Sequence, residues 1–366
     1  MLNIANYVQK GNKIDTFINT YNLSPHQVAL FGLGGSIDIY FKLLKKYKIQ
    51  VDYIIDNNSN IWGTTYNNIP IESADILLKS NTLYIIVSAP SHSDRIINQI
   101  KSLSNKHIII QFDPSLEIIQ KNNYKERRDF YLSNADYFQS FYNILSDNLS
   151  KLTLEKAIEG ALTSNYYCYN EIATNNQYFP DIIMSNLTDK EVFLDIGAYT
   201  GDSSLEFIDA VKNNYSKIIG FEPKEENIKQ AIQQINDNRV SFYPYGVGEK
   251  NEHLYLYGED GLDDFAHISN KQNDNCTEIT IVSIDDFIKE PYTYIKMDIE
   301  GMEMAALRGA RGTIENYHPK LAISVYHKIN DLISIPKLIQ EIDPSYKLYL
   351  RHYWKYCGTD TVLFAL

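Results

Sequence analysis

Two series of short, uninterrupted apolar runs constrain this chain more than any other feature. The first series is VALFG (Val28–Gly32), VDYIID (Val51–Asp56), LYIIVSA (Leu83–Ala89) and HIIIQFD (His107–Asp113). The second is EVFLDIG (Glu191–Gly197), KIIGFE (Lys217–Glu222), RVSFYPYG (Arg239–Gly246), YIKMDIEG (Tyr294–Gly301) and KLAISVYH (Lys320–His327). Runs without polar alternation read as strands buried on both faces, which belong to parallel sheets covered by helices. The segments between them read as helical, except after Arg239–Gly246. There, Glu252–Gly258 and Glu278–Ile284 predict two strands flanking a polar insertion, and Tyr346–Tyr353 with Asp360–Leu366 predict a closing hairpin. A chain of 366 residues suits two such domains better than one core. The expected fold is therefore α/β, with two doubly wound domains. Residues 1–114 form the first, opening on an amphipathic helix with Ile4, Val8, Ile14 and Phe17 as its apolar positions; 115–187 form a helical connector; 188–366 form the second. The aromatic residues recurring at helical spacing in the connector, Phe130 to Tyr142, read as packing surface.

Composition narrows the function classes. Asp and Glu number 46 against 34 Lys and Arg, a net charge of -12, and no basic cluster offsets it. The one short basic run, Lys125–Arg128, reads as a solvated helix face. Such a chain repels a phosphate backbone, so nucleic acid is not an expected partner. Three distant cysteines (Cys168, Cys276, Cys357) with no CxxC spacing exclude a thiolate zinc cage and fit a reducing compartment. No apolar stretch approaches the roughly 20 residues of a membrane span. The start, with Asn3, Asn6, Gln9 and Asn12, does not resemble a signal peptide. A cytoplasmic protein acting on a small-molecule or neutral substrate is expected, with self-association left open.

The chemistry concentrates in the second half. In LDIGAYTGDSS (Leu194–Ser204) a strand ends at Asp195, a turn containing Gly197 and Gly201 comes next, and a helix begins near Asp202. In open α/β sheets ligands sit at the carboxyl ends of strands, and glycines let them approach the backbone. The spacing lacks the three glycines of a pyrophosphate cradle, and Asp195 with Asp202 would repel phosphate. A cation suits the turn, and S-adenosylmethionine carries an ammonium and a sulfonium. Glu222, 21 residues after Gly201 at the next strand end, is placed to accept ribose hydroxyls, and Gly246 leaves room for an adenine. Asp298 and Glu300 end the fourth strand; adjacent carboxylates there can hold a divalent cation, orient a hydroxyl or take its proton. Glu303 reads as a helix-terminal charge, His327 as a candidate base near Asp298, and His352 as a packing or substrate-contacting residue. The insertion Glu249–Glu278, with Tyr255, Tyr257 and Phe265, reads as a cover for the crevice. His253, His267 and His318 have no supporting context.

With these residues assembled, Gln177–Leu366 resembles the FkbM-type S-adenosylmethionine-dependent methyltransferases. The likeness rests on QYF (Gln177–Phe179), EVFLDIGAYTGDS, IGFEP (Ile219–Pro223), SIDDF (Ser283–Phe287), IKMDIEGME (Ile295–Glu303), Pro319–Pro336 and LYLRHY (Leu348–Tyr353). It implies the seven-stranded class I methyltransferase sheet and methylation of hydroxyl oxygens, commonly on sugars of glycans or glycosylated metabolites. It also implies that Asp195, Gly197, Ala198, Tyr199, Gly201, Asp202, Ser203, Glu222 and Gly246 hold the cofactor, while Asp298, Glu300 and His327 line the reaction crevice. The first half looks like the Rossmann-like domain that precedes this methyltransferase in some family members. Its FGLGGSIDIY (Phe31–Tyr40) keeps two glycines of GxGxxG, Gly32 and Gly34, puts Ile37 at the third, and has Asp56 at the ribose position. A sugar-modifying NAD(P)-linked oxidoreductase, a non-catalytic nucleotide-sugar-binding protein and an N-methylating variant stay open at this level.

Overall fold

The computed structural model describes residues 2–257, 267–269 as backbone, 276–287 and 290–366. It divides into two compact units. One comprises Met1–Gln139, Leu154–Ala173 and Trp354–Thr359; the other comprises Ser140–Thr153, Thr174–Tyr353 and Asp360–Leu366. The stretch 115–187 thus contributes residues to both.

In the first unit the four apolar runs become β1 (Gln27–Phe31), β2 (Tyr53–Ile55), β5 (Leu83–Val87) and β6 (Ile108–Ile110). Between them lie β3 (Thr65–Tyr66) and β4 (Ile69–Glu72), which the run pattern does not reveal; the sheet order is β3-β4-β2-β1-β5-β6. Asn67 and Asn68 both have positive φ, +52° and +62°, as a two-residue hairpin turn with the right twist demands. Every pairing is parallel except β3–β4. Apolar clusters cover both faces, one including Phe17, Leu30, Tyr40 and Phe112, the other Phe31, Ile55, Leu83 and Ile96. The amphipathic start is two helices, Ile4–Gln9 and Lys13–Leu23: Gly11 turns with φ +75°, and Asn12 caps the second through Ile14 and Asp15 N–H. The basic run is not a wholly solvated face. Arg127 is buried, paired with buried Glu117 at 3.1 Å and donating to Ala161 and Asn122 carbonyls. The aromatic connector is core, with Tyr131, Phe138 and Phe141 buried.

The second unit holds β7 (Val192–Ile196), β8 (Lys217–Phe221), β9 (Val240–Tyr243), β10 (Gly246–Val247), β11 (Glu252–Tyr257), β12 (His267–Ser269), β13 (Cys276–Val282), β14 (Tyr294–Met297), β15 (Lys320–Ser324), β16 (Leu348–His352) and β17 (Thr361–Ala365). Seven of them make one sheet in the order β16-β17-β15-β14-β7-β8-β9. All neighbours are parallel except β17, antiparallel to both β15 and β16. This is the class I methyltransferase arrangement. The strand expected over Arg239–Gly246 breaks at Pro244, which has no N–H for a ladder. Beyond the break, β10 joins a second sheet, β10-β13-β11-β12. Within the insertion, Tyr255 and Tyr257 lie on β11, while Phe265, grouped with them as a cover for the crevice, lies outside the described residues. No helix among the described residues is long and apolar enough to cross a membrane.

Candidate active site

The parallel strands β14, β7 and β8 end side by side, so their tips gather the predicted residues. Asp195 closes β7 fully buried. Its Oδ2 accepts from Ser203 Oγ at 2.6 Å and Ser204 Oγ at 2.7 Å, and Oδ1 lies 3.2 Å from Lys296 Nζ. Lys296, buried on β14, donates to the Gly197 carbonyl at 2.7 Å. Burial opposes its charge, but Asp195 and Asp298 outweigh that and hold its pKa above the ordinary value. The negative charge expected to face a cationic ligand at Asp195 is therefore met inside the protein. Asp202, exposed at the start of the helix Asp202–Ala210, keeps its charge towards solvent.

The turn itself needs its glycines. Gly197, Tyr199 and Gly201 have φ of +80°, +46° and +86°. A Cβ on Gly197 would fall 2.0 Å from the Asp298 carbonyl oxygen, so only glycine lets β7 and β14 leave their tips this close. Ala198 is buried behind the turn, and the Tyr199 side chain is 58% exposed. Glu222 ends β8; Oε2 accepts from Tyr199 N–H at 3.2 Å, and Oε1 from Lys224 N–H at 3.0 Å and Asn227 Nδ2 at 3.2 Å. Burial raises its pKa, against those hydrogen bonds. Gly246 is buried in β10, where a Cβ would meet Ile281 Cδ1 at 2.6 Å. Its missing side chain is thus filled by β13.

At the tips of β14 and β15 the ionisable groups converge. Asp298 Oδ2 accepts from Tyr178 Oη at 2.7 Å and Oδ1 from Tyr326 Oη at 3.4 Å. His327 Nε2 lies 3.5 Å from Asp298 Oδ1 and 3.6 Å from Glu300 Oε2, while Nδ1 lies 3.0 Å from Glu303 Oε1. Burial disfavours the imidazolium, but Glu303 foremost, then Asp298 and Glu300, push the His327 pKa up to about 10. Burial likewise raises Glu300, with His327 opposing. Glu303 is 1% exposed, and its Oε1 accepts from Ile299 N–H at 2.9 Å and Gly301 N–H at 3.4 Å. The reading of Glu303 as a mere helix-terminal charge is corrected: it starts the helix Glu303–Gly309 and also faces His327. Tyr178 and Tyr326 emerge as partners of Asp298 only in the structure, although both sit in the QYF and SVYHK strings. His352 is buried, its Nδ1 2.9 Å from Thr361 Oγ1, and His318 stacks on Tyr346 beside Asp343.

Residues 195–346, which contain these strand tips, match the family described as methyltransferase FkbM domain. The chain carries an FkbM methyltransferase domain. Its activity is S-adenosylmethionine-dependent methyl transfer. Residues 24–110 match the family described as C2185-like, N-terminal. Among solved structures, the methyltransferase FkbM from Methylobacillus flagellatus KT is similar over 98% of this chain and 91% of its own, at 23% identity and a TM-score of 0.74. An rRNA methylase from Streptococcus thermophilus matches 50% of this chain and 90% of its own, at 14% identity and TM-score 0.34. A precorrin-6y C5,15-methyltransferase from Geobacter metallireducens GS-15 matches 54% and 93%, at 12% identity and TM-score 0.28. No curated protein shows significant similarity to the chain. The residues present fit the methyl donor: the turn has no side chain at Gly197 or Gly201 to keep a ligand from its backbone, and the Glu222 carboxylate stands at the neighbouring tip.

In the first unit of this methyltransferase the corresponding tip is built differently. Gly32, with φ +112°, meets Ala89, whose Cβ would lie 2.5 Å from a Cβ placed there. Asp56 spends its two oxygens on Leu33 N–H and Asn58 N–H, each at 2.7 Å. Ile37 is buried at the start of the helix Ile37–Lys46. Phe31, Gly32, Asp56, Ala89, His92 and Arg95 line a shallow cavity of about 280 Å³ at this tip.

Proposed function

We propose that the FkbM domain methylates a hydroxyl oxygen of a sugar, carried by a glycan, a surface-polysaccharide precursor or a glycosylated metabolite. One observation carries the choice of a hydroxyl acceptor, and the sugar follows from the family resemblance. The Asp298 carboxylate, with 22% of its side chain exposed, stands at the β14 tip where the Gly197 turn passes, within hydrogen-bond reach of Tyr178 and Tyr326. An unactivated hydroxyl is a poor nucleophile and needs a proton acceptor. Asp298 offers a carboxylate at the strand tip that is reachable from the crevice, whereas the His327 side chain is 4% exposed and walled in by carboxylates. Asp298 accordingly takes the proton, His327 and Tyr178 fix its orientation, and Glu300, 46% exposed, steers the acceptor. The bound cofactor supplies a methyl group on a sulfonium, open to in-line displacement.

The remaining roles follow from the same reading. Gly197, Ala198, Tyr199 and Gly201, with Asp202 and Ser203 opening the helix, hold the methyl donor, and Glu222 receives its ribose. Asp195 acts through Lys296 and Ser203 to keep the turn in shape. Charge is dispersed in the transition state, so alignment and exclusion of water dominate, and well-oriented pairs gain about 7–11 kcal/mol from it. The three cysteines, far apart in the sequence and without CxxC spacing, support a reducing, cytoplasmic setting. Incubating a polysaccharide or metabolite extract with the enzyme and isotopically labelled methyl donor tests the acceptor by mass spectrometry. Label on a sugar oxygen is expected; label on amines, protein or nucleic acid alone would contradict it.

A further inference from the structure

The cluster behind Asp298 contains buried donor atoms that nothing in the protein satisfies. Glu303 uses Oε1 on two backbone N–H groups, but Oε2 is buried without a hydrogen-bond partner. His327 Nδ1 is paired with Glu303 Oε1 at 3.0 Å, whereas Nε2, facing Asp298 and Glu300 at 3.5 and 3.6 Å, has no hydrogen-bond partner. Both residues are more than nine-tenths buried. Burying such groups unmet is costly, so an orphaned set of this kind calls for an occupant.

We infer that Asp298, Glu303 and His327 bind a divalent cation of the magnesium or manganese class at the floor of the reaction crevice. One donor atom from each lies within 4.8 Å of the others, a spacing that one ion can span with metal–ligand distances of about 2.0–2.3 Å. Two carboxylates with one imidazole and no thiolate form an oxygen-rich donor set with one borderline nitrogen, which manganese accepts more readily than magnesium. Glu300, its Oε2 3.6 Å from His327 Nε2, stands as a further oxygen on the open side. Charge points the same way. Three carboxylates, those of Asp298, Glu300 and Glu303, face the His327 ring within 3.0–3.6 Å, an acidic setting that suits a dication. With three protein donors the ion keeps open positions for water and for the acceptor hydroxyl, whose proton it would loosen for transfer to the Asp298 oxygen that does not bind the ion. The existence of the site is independent of the acceptor, but this use of it rests on the methyl-transfer reading.

Titration of the purified full chain with Mn²⁺ alone, followed by the loss of the free-ion electron paramagnetic resonance signal, tests the inference. One ion per chain is expected, with affinity lowered at least tenfold in both Glu303→Gln and His327→Ala. Glu303→Gln is nearly isosteric, and its circular dichroism and melting temperature establish that it is folded if His327→Ala is not. Calorimetry with S-adenosylhomocysteine on the same samples reports the cofactor crevice separately. Absent Mn²⁺ uptake by the wild type, or equal uptake by folded Glu303→Gln, overturns the cation site while S-adenosylhomocysteine binding leaves methyl transfer standing. Failure of S-adenosylhomocysteine to bind strikes the methyl-transfer reading instead, and Mn²⁺ uptake still decides the cation site.

Discussion

The two units use one backbone device, a strand, a glycine turn, a helix and an acidic residue at the next strand tip, and only one of them surrounds it with chemistry. The turns themselves are alike: Gly32 packs on Ala89 and Gly197 on the Asp298 carbonyl, and the oxygens of both Asp56 and Glu222 accept from backbone N–H groups. In the second unit, the neighbouring tips bring Asp298, Glu300, Glu303 and His327 to one place. The turn makes a ligand site available; what the adjacent strands deliver to it decides whether bonds are made there.

Several substitutions break or sharpen that contrast. Asp298→Asn removes the proton acceptor and is expected to lower turnover about 10²–10⁴-fold, with S-adenosylhomocysteine affinity within a few-fold of wild type. Turnover within about tenfold would remove the role from Asp298. Next, Gly197→Ala forces a Cβ onto the Asp298 carbonyl at positive φ and is expected to cost about 2–4 kcal/mol in denaturant unfolding. Gly34→Ala, where nothing lies within 4 Å, is expected to change stability by about 0.5 kcal/mol or less. Equal effects at the two glycines would show that the space beside Gly197 is not closed off by the Asp298 carbonyl.

Glu222→Ala is expected to weaken S-adenosylhomocysteine binding about tenfold or more by calorimetry, while Asp56→Ala leaves it unchanged. The smallest effect concerns pH. Burial first, then nearby Glu303, pushes Asp331 from 3.8 up to about 7. Between those values the folded protein keeps a proton that the unfolded chain has released, so this carboxyl makes stability fall as pH rises towards about 7. Melting temperatures of Asp331→Asn across that window should decline less than those of the wild type.

Much of this contrast is legible in the sequence, for identifiable reasons. The buried parallel strands announce themselves by unbroken apolar runs, and Gly197, Glu222 and Asp298 sit where such strands end. Lys296 is not legible: it lies in the middle of an apolar run, and only the pairing of β14 with β7, Lys296 beside Asp195, turns it into a counter-charge. Glu303 reads as a helix-terminal charge because its partner His327 is 24 residues away along the chain and joins it only through the β14–β15 pairing. Arg127 misleads similarly, since its partner Glu117 comes from a separate helix. The hairpin β3–β4 escapes detection because two- and four-residue strands carry too little periodicity to register.

Isothermal titration of the wild-type chain with S-adenosylhomocysteine, repeated with NADH, measures most directly which crevice works. The account predicts one S-adenosylhomocysteine per chain, abolished or sharply weakened by Glu222→Ala, and no tight NADH uptake. Tight NADH binding with no S-adenosylhomocysteine heat would contradict it.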